Sequence, residues 1–305
     1  MTADIVPDLS VELCGVTLKN PVIAASGTYG FGEELLPFHH PSVLGGFSTK
    51  GITLYPRQGN RGLRLHETRA GMMNSIGLQN PGAEVFVRDI VPRIRALTGC
   101  LIANVGGSDI DDYVQAVSMI AAADVDMVEL NISCPNVKCG GMAFGMRAED
   151  AAAVVRAVRP VCGKPLMVKL SPNAHDLVAV ARACEEAGAD TLSLVNTFNA
   201  LAIDVHARRA VFDNVTAGLS GPAILPIALR MTRDVARAVR VPVVGMGGIE
   251  TGEDVAAFVM AGATAVQVGT AGLVRPDALP RIVEELAAFM AREGIANLAE
   301  IRGIV

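Results

Sequence analysis

Reactive side chains are concentrated in six consecutive residues, Asn131-Ile132-Ser133-Cys134-Pro135-Asn136, which combine a thiol, a hydroxyl and two amides. The mostly apolar residues 126–130 before them predict a buried strand, and residues 137–145 after them are rich in glycine. Pro135 has a fixed φ and disfavours the helical region for Cys134, so we expect the thiol on a turn. A thiol there can act as a base or a nucleophile, and the two asparagines can hold a flat polar ligand through paired donors and acceptors.

The elements that must position this segment follow a regular alternation of strands and helices. Short apolar segments predict eight strands at residues 21–25, 43–49, 101–105, 126–132, 165–170, 191–195, 242–244 and 265–268. Helical patterns occupy residues 32–39, 83–97, 110–123, 148–161, 174–187, 222–239, 252–261 and 279–293. Alternating β and α segments with apolar strands predict an α/β fold with a parallel sheet, and eight repeats favour closure into a (β/α)8 TIM barrel.

Three segments depart from this alternation. Residues 9–18 predict an N-terminal hairpin that turns at Gly15. Residues 55–80 and 198–220 predict two inserted excursions above the carboxyl ends of the strands. We expect residues 1–305 to form a single barrel domain. An open doubly wound sheet is the alternative, although no G-x-G-x-x-G motif follows the first strand.

Composition limits the class of protein. The chain has 305 residues, of which 51% are hydrophobic and 19% charged, and this excludes disorder and favours a large buried core. Aromatic residues make up only 4%, and Trp is absent, which suits a core of aliphatic parallel strands. The net charge is −5 and no basic block occurs, so we expect no nucleic-acid partner.

Cysteine usage and hydropathy favour a cytoplasmic location. The six cysteines show no paired framework, and residues 1–10 lack the basic and apolar parts of a signal peptide. The uncharged run at residues 255–274 is long enough for a membrane span, but glycines interrupt it, so we interpret it as a helix, a turn and a strand. Cys139 lies five residues after Cys134, yet no further thiolates accompany the pair, so we expect no metal site.

Polar residues and glycines recur where the predicted strands end. They are Ser26, Lys50, Asn104, Asn131, Cys134, Lys169, Asn196, Thr197, Gly247, Gly248, Gly269 and Thr270. Any one of them could simply cap a turn, but the active site of an α/β barrel lies at this end of the strands. The glycines after strands seven and eight suit a phosphate, because backbone amides can approach it closely. The two lysines suit an anionic ligand such as a reduced flavin, with an ion pair or a solvent-reaching side chain as the alternative.

The Cys134 segment and its continuation, Val137-Lys138-x-Gly140-Gly141-x-x-Phe144-Gly145, resemble the catalytic loop of class 1B dihydroorotate dehydrogenases. The resemblance covers essentially the whole chain. Its other motifs are Ala25-Ser26-Gly27, Ser48-Thr49-Lys50-Gly51, Asn74-Ser75-Ile76-Gly77-Leu78-Gln79-Asn80, Asn196-Thr197, Gly218-Leu219-Ser220-Gly221-Pro222 and Gly245-Met246-Gly247-Gly248. Type 1A enzymes share Ser-Cys-Pro-Asn but usually lack this continuation, which therefore favours class 1B.

The resemblance implies an FMN-containing barrel that oxidises (S)-dihydroorotate to orotate in de novo pyrimidine biosynthesis. Cys134 would be the base that removes the C5 proton while a hydride passes from C6 to flavin N5, and residues 137–145 would form a lid. The implied substrate-binding residues are Lys50, Asn74, Ser75, Ile76, Gly77, Leu78, Asn131, Asn136, Asn196 and Thr197. The implied FMN-binding residues are Ser26, Lys50, Gly51, Asn104, Asn131, Lys169, Val195, Gly221, Gly247, Gly248, Gly269 and Thr270.

The resemblance also implies a partner. A second subunit carrying FAD and a [2Fe-2S] cluster would pass electrons to NAD, and a homodimer of this chain would lie within a heterotetramer. This chain has neither a cluster-binding cysteine pattern nor a dinucleotide fingerprint of its own, which is consistent with that division. Other hypotheses remain: a fumarate-linked type 1A enzyme, a flavin-free barrel isomerase or lyase acting on a phosphorylated metabolite, and a non-catalytic binding subunit.

Overall fold

The computed structural model describes residues 6–133 and 144–305. The strands of these residues are β1 Val11–Leu13, β2 Val16–Leu18, β3 Val22–Ala24, β4 Gly46–Ser48, β5 Leu65–Thr68, β6 Gly71–Asn74, β7 Leu101–Val105, β8 Met127–Asn131, β9 Leu166–Lys169, β10 Thr191–Leu194, β11 Phe198–Leu201, β12 Ile203–Asp204, β13 Arg209–Ala210, β14 Thr216–Ser220, β15 Val243–Met246 and β16 Ala265–Val268. Eight of them close a parallel barrel in the order β10-β15-β16-β3-β4-β7-β8-β9. The predicted (β/α)8 barrel is therefore confirmed.

Helices follow the barrel strands and pack on their outer faces. They are α1 Ala83–Val85, α2 Val91–Ile94, α3 Ile110–Ala121, α4 Ala148–Val158, α5 Leu177–Glu186, α6 Leu225–Ala236, α7 Gly252–Met260, α8 Thr270–Val274 and α9 Ala278–Glu293. A π-helical segment, Phe86–Ile90, joins α1 to α2. Short 3-10 turns occur at Glu33–Leu35, Pro41–Val43, Arg95–Leu97, Arg159–Val161, Pro222–Ile224 and Leu298–Glu300.

Side chains alternate between the two faces of each barrel strand, as the strand pleat requires. In β8, Val128 and Leu130 point outward into the large core shared with the helices. Met127 belongs to the core inside the barrel, and Glu129 bonds to side chains from other barrel strands. The outer face therefore supplies most of the burial, whereas the inner face is free to change from apolar to polar along the strand.

The N-terminal hairpin closes one end of the barrel interior. β1 and β2 pair across a two-residue turn in which Cys14 and Gly15 both have positive φ, as tight hairpin turns favour. Leu13 and Leu18 are fully buried and pack on the inward-facing residues near the amino ends of the strands. We call these inward-facing residues, together with the two leucines, the apolar layer: Leu13, Leu18, Ile23, Cys100, Ile102, Met127, Met167, Val244 and Ala265.

The two inserted excursions combine into one four-stranded antiparallel sheet, in the order β11-β14-β6-β5. Asn74 of the first excursion pairs with Gly218 of the second. The sequence predicted two separate excursions, because a pairing between segments about 140 residues apart leaves no local signal. This sheet lies beside the carboxyl ends of the barrel strands, where it forms part of the wall of the pocket.

Other details depart from the sequence expectations. The helix expected at residues 32–39 is reduced to the 3-10 turn Glu33–Leu35. The helix expected at residues 83–97 contains the π segment, which ends just before the Val91–Ile94 helix with its Pro92. The run at residues 255–274 forms part of α7, then β16 and α8, as interpreted, although α8 itself was not expected. No helix in the described part of the chain is long and apolar enough to cross a membrane.

Candidate active site

A cavity of about 480 Å³ lies at the carboxyl ends of the barrel strands, between the barrel and the four-stranded sheet. This volume falls within the range of small-molecule and cofactor sites. Its lining includes Gly247 after β15, Gly269 after β16 and Asn74 at the end of β6. Residues far apart in the chain thus meet around one space, as expected of a barrel active site.

Every described residue that the sequence nominated lies on this cavity. These residues are Ser26, Lys50, Gly51, Asn74, Ser75, Ile76, Gly77, Leu78, Asn104, Asn131, Lys169, Val195, Asn196, Thr197, Gly221, Gly247, Gly248, Gly269 and Thr270. Cys134 and Asn136 lie outside the described residues, as does the expected lid apart from Phe144 and Gly145. The cavity places the nominated residues together, while their individual roles stay predictions.

Amide side chains form a connected network on one wall of the cavity. The Oδ1 atom of Asn131 accepts hydrogen bonds from Ser133 Oγ at 2.9 Å and from Asn196 Nδ2 at 3.2 Å. Asn196 Nδ2 also donates to Ser133 Oγ, and Asn196 Oδ1 accepts from the backbone N–H of Thr197 at 2.8 Å. Because its carbonyl is occupied, Asn131 is left with its amide N–H groups to offer a ligand.

A second set of amides lies where the excursion sheet meets the barrel. Asn74 Nδ2 donates to the carbonyl of Gly218 at 3.3 Å, which holds the side chain on the cavity wall. Asn173, which the sequence did not nominate, also lines the cavity and donates to the carbonyl of Thr197 at 3.2 Å. Its own Oδ1 accepts from the backbone of Asn199 at 3.0 Å. Asn173 therefore joins the end of β9 to the start of β11 beside the site.

Two lysines give the cavity a positive character. Burial lowers the pKa of Lys50, the nearby charge of Arg64 lowers it further, and Glu34 partly opposes both. Lys169, at the end of β9, is only 5% exposed. Ammonium groups at this depth suit an anionic ligand, because opposite charges attract more strongly in a desolvated site than in water.

The loops after β15 and β16 can bring backbone close to a ligand. Gly247 and Gly248 have φ of 126° and 80°, a region that side-chain-bearing residues rarely adopt. A Cβ on Gly248 would lie 2.8 Å from the backbone nitrogen of Leu225, so a larger residue could not fit there. This geometry suits a phosphate held by backbone amides, at the position where barrels commonly bind one.

A set of inward-facing polar side chains, which we call the polar layer, lies at the bottom of the cavity: Ser48, Asn104, Glu129, Lys169, Ser193 and Gln267. Asn104, Lys169 and Gln267 line the cavity and form its floor, and the other three are fully buried behind them. Glu129 is fully buried, and each of its carboxylate oxygens accepts two hydrogen bonds. Burial raises the pKa of Glu129, but the charge of Lys169 and the hydrogen bonds outweigh it, so the pKa lies below its usual value. Glu129 is therefore a carboxylate at neutral pH.

The floor also contains acceptors without a partner. Asn104 Oδ1 and Gln267 Oε1 are buried, and neither has a hydrogen-bond partner among the described residues. Both residues line the cavity. Buried carbonyl oxygens normally have a donor, so these two fit a ligand that brings N–H groups. An oxidised flavin ring has one N–H, at N3, and its phosphate fits the glycine loops above.

Sequence reasoning missed Glu129, Asn173 and Gln267. A signal for two of them exists in the alternation of the strands. Glu129 lies two residues before Asn131, and Gln267 two residues before Gly269, so each shares a face with a nominated residue. Asn173 lies in a loop, where no periodicity applies, and only the fold brings it to the cavity.

The arrangement can hold a flat anionic ring compound against a second flat group. Amide donors and acceptors cover one wall, ammonium groups supply charge, and glycine loops suit a phosphate. Within the described residues, no group of three His, Cys, Asp or Glu side chains could hold a metal ion. The amides, lysines and glycine loops of the cavity suit the binding and orientation of organic ligands.

Comparisons with known proteins find similarity along nearly the whole chain. The family model for dihydroorotate dehydrogenase matches residues 8–290. The chain is 56% identical over 298 residues to the dihydroorotate dehydrogenase B (NAD(+)) catalytic subunit of Petrotoga mobilis, with 98% of this chain and 99% of that protein covered. The proteins of the same name from Geobacter sulfurreducens and Bacteroides thetaiotaomicron are 50% and 47% identical, each with 97% of this chain and 98% of the relative covered.

Proposed function

The chain belongs to the dihydroorotate dehydrogenase family, and on that basis we propose that it oxidises (S)-dihydroorotate to orotate in de novo pyrimidine biosynthesis. It acts as a single-domain, FMN-binding catalytic subunit of an NAD-linked enzyme. The observation that carries the proposal is the convergence of Lys50, Asn131 and Asn196 with the glycine loops on one cavity. The printed names of the relatives, which include both NAD(+) and catalytic subunit, support the same assignment.

FMN would be held along the floor and the glycine loops. The proposed contacts are Ser26, Lys50, Gly51, Asn104, Asn131, Lys169, Val195, Gly221, Gly247, Gly248, Gly269 and Thr270. Bound FMN would supply the acceptor for the hydride that leaves dihydroorotate. Lys169 favours negative charge at the floor, and the glycine loops present backbone to the phosphate without side chains in the way.

Dihydroorotate is a carboxylate with an amide-rich ring, so it needs a cation together with amide donors and acceptors. Lys50 supplies the cation, and the other proposed contacts are Asn74, Ser75, Ile76, Gly77, Leu78, Asn131, Asn136, Asn196 and Thr197. The fixed carbonyl of Asn131 leaves an amide donor for a ring carbonyl. These contacts orient the ring so that one carbon faces the base and the next faces the cofactor.

We assign the base to Cys134, which removes the proton from C5 of the substrate. Cys134 itself lies outside the described residues, but the residue before it, Ser133, is buried on the cavity and bonded to Asn131. The chain therefore reaches the site one residue before the thiol. A free thiol has a pKa of about 8.5, so only a small fraction is the thiolate near neutrality, and the thiolate is the form that can accept the proton.

The electron acceptor lies on another chain in this proposal. A subunit that carries FAD and a [2Fe-2S] cluster would link the FMN of this chain to NAD. This chain would form a homodimer within a heterotetramer, and the assembly would lie in the cytoplasm. The catalytic-subunit names of the relatives support a partner. The absence of a cluster-binding cysteine pattern from this sequence agrees with it.

The alternatives are weaker. A fumarate-linked type 1A enzyme does not fit relatives named for NAD(+) at 56% and 50% identity. A flavin-free isomerase or lyase would use the glycine loops, but it gives no role to two lysines and a set of amides on the same cavity.

The test is a choice of electron acceptors for the isolated chain. With dihydroorotate as donor, we expect the chain alone to reduce an artificial dye but not NAD, and to reduce NAD once the partner subunit is added. Efficient NAD reduction by the isolated chain would overturn the division into subunits. Efficient turnover with fumarate would assign the chain to type 1A instead.

A further inference from the structure

Glu129 is a charged residue inside the barrel for which neither substrate nor base chemistry gives a role. Its side chain is 0% exposed. Oε2 accepts from Ser48 Oγ and from Asn104 Nδ2, both at 2.7 Å. Oε1 accepts from Ser193 Oγ at 2.8 Å and from Gln267 Nε2 at 2.7 Å. A carboxylate bonded on four sides is fixed in place, and so are the groups that donate to it.

The carboxylate decides which way two amides point. An ionised carboxylate only accepts, so Asn104 and Gln267 must turn their NH₂ groups toward it. Their carbonyl oxygens then face away from Glu129, and these are the two buried acceptors without a described partner. Asn104 Oδ1 lies 2.9 Å from where a Cβ on Gly51 would be, and Gly51 lines the cavity. Asn104 and Gln267 therefore offer acceptors, not donors, to the cavity.

The same carboxylate also sets the charge of the floor. Lys169 lies on β9, the strand paired with β8, within two residues of the position opposite Glu129, and its positive charge lowers the pKa of Glu129. The pair brings one positive and one negative charge beneath the cavity. Interactions of this kind are strong in a desolvated interior, and removal of one partner leaves the other uncompensated.

We propose that Glu129 is a positioning residue of the cofactor site and that Gln267 is an additional flavin contact. Glu129 holds the carbonyl oxygens of Asn104 and Gln267 toward the flavin ring. It also offsets the charge of Lys169. The inference rests on the proposed function, since it requires that FMN occupies this cavity. It assigns one of the two acceptors to N3–H, the one N–H of the oxidised ring, and the other to an N–H that the ring gains on reduction. It also implies that the negative charge of Glu129 lowers the reduction potential of the bound flavin.

Glu129→Gln separates these effects from simple packing. Glutamine keeps the size of the side chain but replaces one acceptor oxygen with an N–H donor. The hydroxyl groups of Ser48 and Ser193 can rotate to accept a hydrogen bond from the new N–H group. An amide beside that N–H group, from Asn104 or Gln267, must instead rotate by half a turn, and its own NH₂ group then points into the cavity. We expect FMN to bind at least tenfold more weakly. We also expect a more positive midpoint potential, because the uncompensated charge of Lys169 favours the electron-rich flavin.

The matched control is Ser193→Ala. Ser193 bonds to the same carboxylate but is not among the residues that line the cavity. Its removal weakens the support of Glu129 without reversing an amide or changing a charge. We expect some loss of thermal stability, an FMN dissociation constant within about threefold of wild type, and an unchanged potential.

The experiment measures FMN dissociation constants of apoprotein by flavin fluorescence, and midpoint potentials against redox dyes. Folded Glu129→Gln with wild-type affinity and potential would overturn the inference. If Glu129→Gln does not fold, the test uses Gln267→Met, which we expect to bind FMN more weakly than wild type. Wild-type FMN affinity in Gln267→Met would exclude Gln267 as a flavin contact and overturn the inference. Wild-type protein that binds no FMN would overturn the proposed function itself. That outcome differs from one in which wild type and Glu129→Gln bind FMN equally well, which would overturn this inference alone.

Discussion

The inward face of the barrel strands is apolar at one end of the barrel and polar at the other. At the amino end, the apolar layer packs beneath the hairpin residues Leu13 and Leu18, which are 0% exposed. At the carboxyl end, the polar layer lies around the Glu129 carboxylate, and three of its residues line the cavity: Asn104, Lys169 and Gln267. One end is closed by hydrophobic contacts, and the other is held by hydrogen bonds to one carboxylate.

On β8 and β7 the change takes place within two residues of one strand. Met127 belongs to the apolar layer and Glu129 to the polar layer, and both lie on β8. β7 changes in the same way from Ile102 to Asn104. Because alternate residues share a face, a step of two keeps the side chain inside the barrel and moves it by about 7 Å along the axis of the strand. Stability and function can therefore be altered separately on one strand.

The largest effect should come from Cys134, three residues beyond the end of β8. Cys134→Ser replaces the proposed base with a far weaker acid, so flavin reduction at neutral pH should fall by about a hundredfold or more. Binding of FMN and of substrate should survive. Stopped-flow reduction of the bound flavin by dihydroorotate, across a range of pH, measures the change, and in wild type the rate should rise as the thiol ionises.

A thiol of the apolar layer provides the control. Burial, with a smaller contribution from Asp126, raises the pKa of Cys100 to about 12, so it stays a thiol at neutral pH. Cys100→Ala should reduce flavin at the wild-type rate. Equal rates in Cys134→Ser and wild type would exclude Cys134 as the base, and Cys139 would be the next residue to test.

The second prediction concerns the hairpin. Leu18→Ala should lower the free energy of unfolding by about 3 kcal/mol, because it leaves a cavity in a fully buried layer. The FMN dissociation constant of the folded variant should stay within about threefold of wild type. Urea unfolding and flavin titration measure the two quantities. A large loss of FMN affinity with little loss of stability would contradict the separation of the two ends.

The alternation of the barrel could be predicted from sequence because it is local. The strand at residues 101–105 and the strand at residues 265–268 have the predicted bounds, since short aliphatic runs are bounded by turns and helices. The nominated residues converge for the same reason: in a parallel barrel, all the carboxyl ends of the strands meet. Position at the strand ends was sufficient for the residues on the barrel, whereas residues 74–78 end or follow a strand of the excursion sheet and were placed at the site only by the resemblance.

What escaped prediction depends on contacts between distant segments. In the sequence, Glu129 is one charged residue among mostly apolar ones. Its hydrogen bonds to side chains of other strands are needed to show that it is a buried carboxylate. The sheet that joins the two excursions relies on pairings such as Met73 with Leu219. The π segment Phe86–Ile90 lies within a sequence whose apolar period suits an ordinary helix. Each of these features is set by tertiary context.

A smaller effect should follow from the lowered pKa of Lys50 at the carboxyl end. The ammonium form is the one that holds a substrate carboxylate, so orotate affinity should be present at low pH and should fall as pH rises through this pKa. Because the pKa is lowered, the loss should begin below the ordinary lysine range near about 10.4. Orotate titrations across pH measure it, with Lys50→Met as a variant that should bind weakly and without this dependence.

A cationic side chain outside the cavity provides the control for the orotate titration. Arg230 pairs with Asp234 on the exposed face of α6, away from both layers. Arg230→Met should leave the orotate profile unchanged. An identical alkaline profile in wild type and Lys50→Met would show that another group titrates.

The central claim is that the polar end of the barrel holds FMN and brings dihydroorotate against it. The most direct measurement is anaerobic addition of dihydroorotate to the purified chain, followed by identification of the chromophore released on denaturation. The account predicts one non-covalent FMN per chain, whose visible absorption is bleached by dihydroorotate without any partner subunit. A folded chain that stays colourless with added FMN, or bound FMN that dihydroorotate does not bleach, would contradict it.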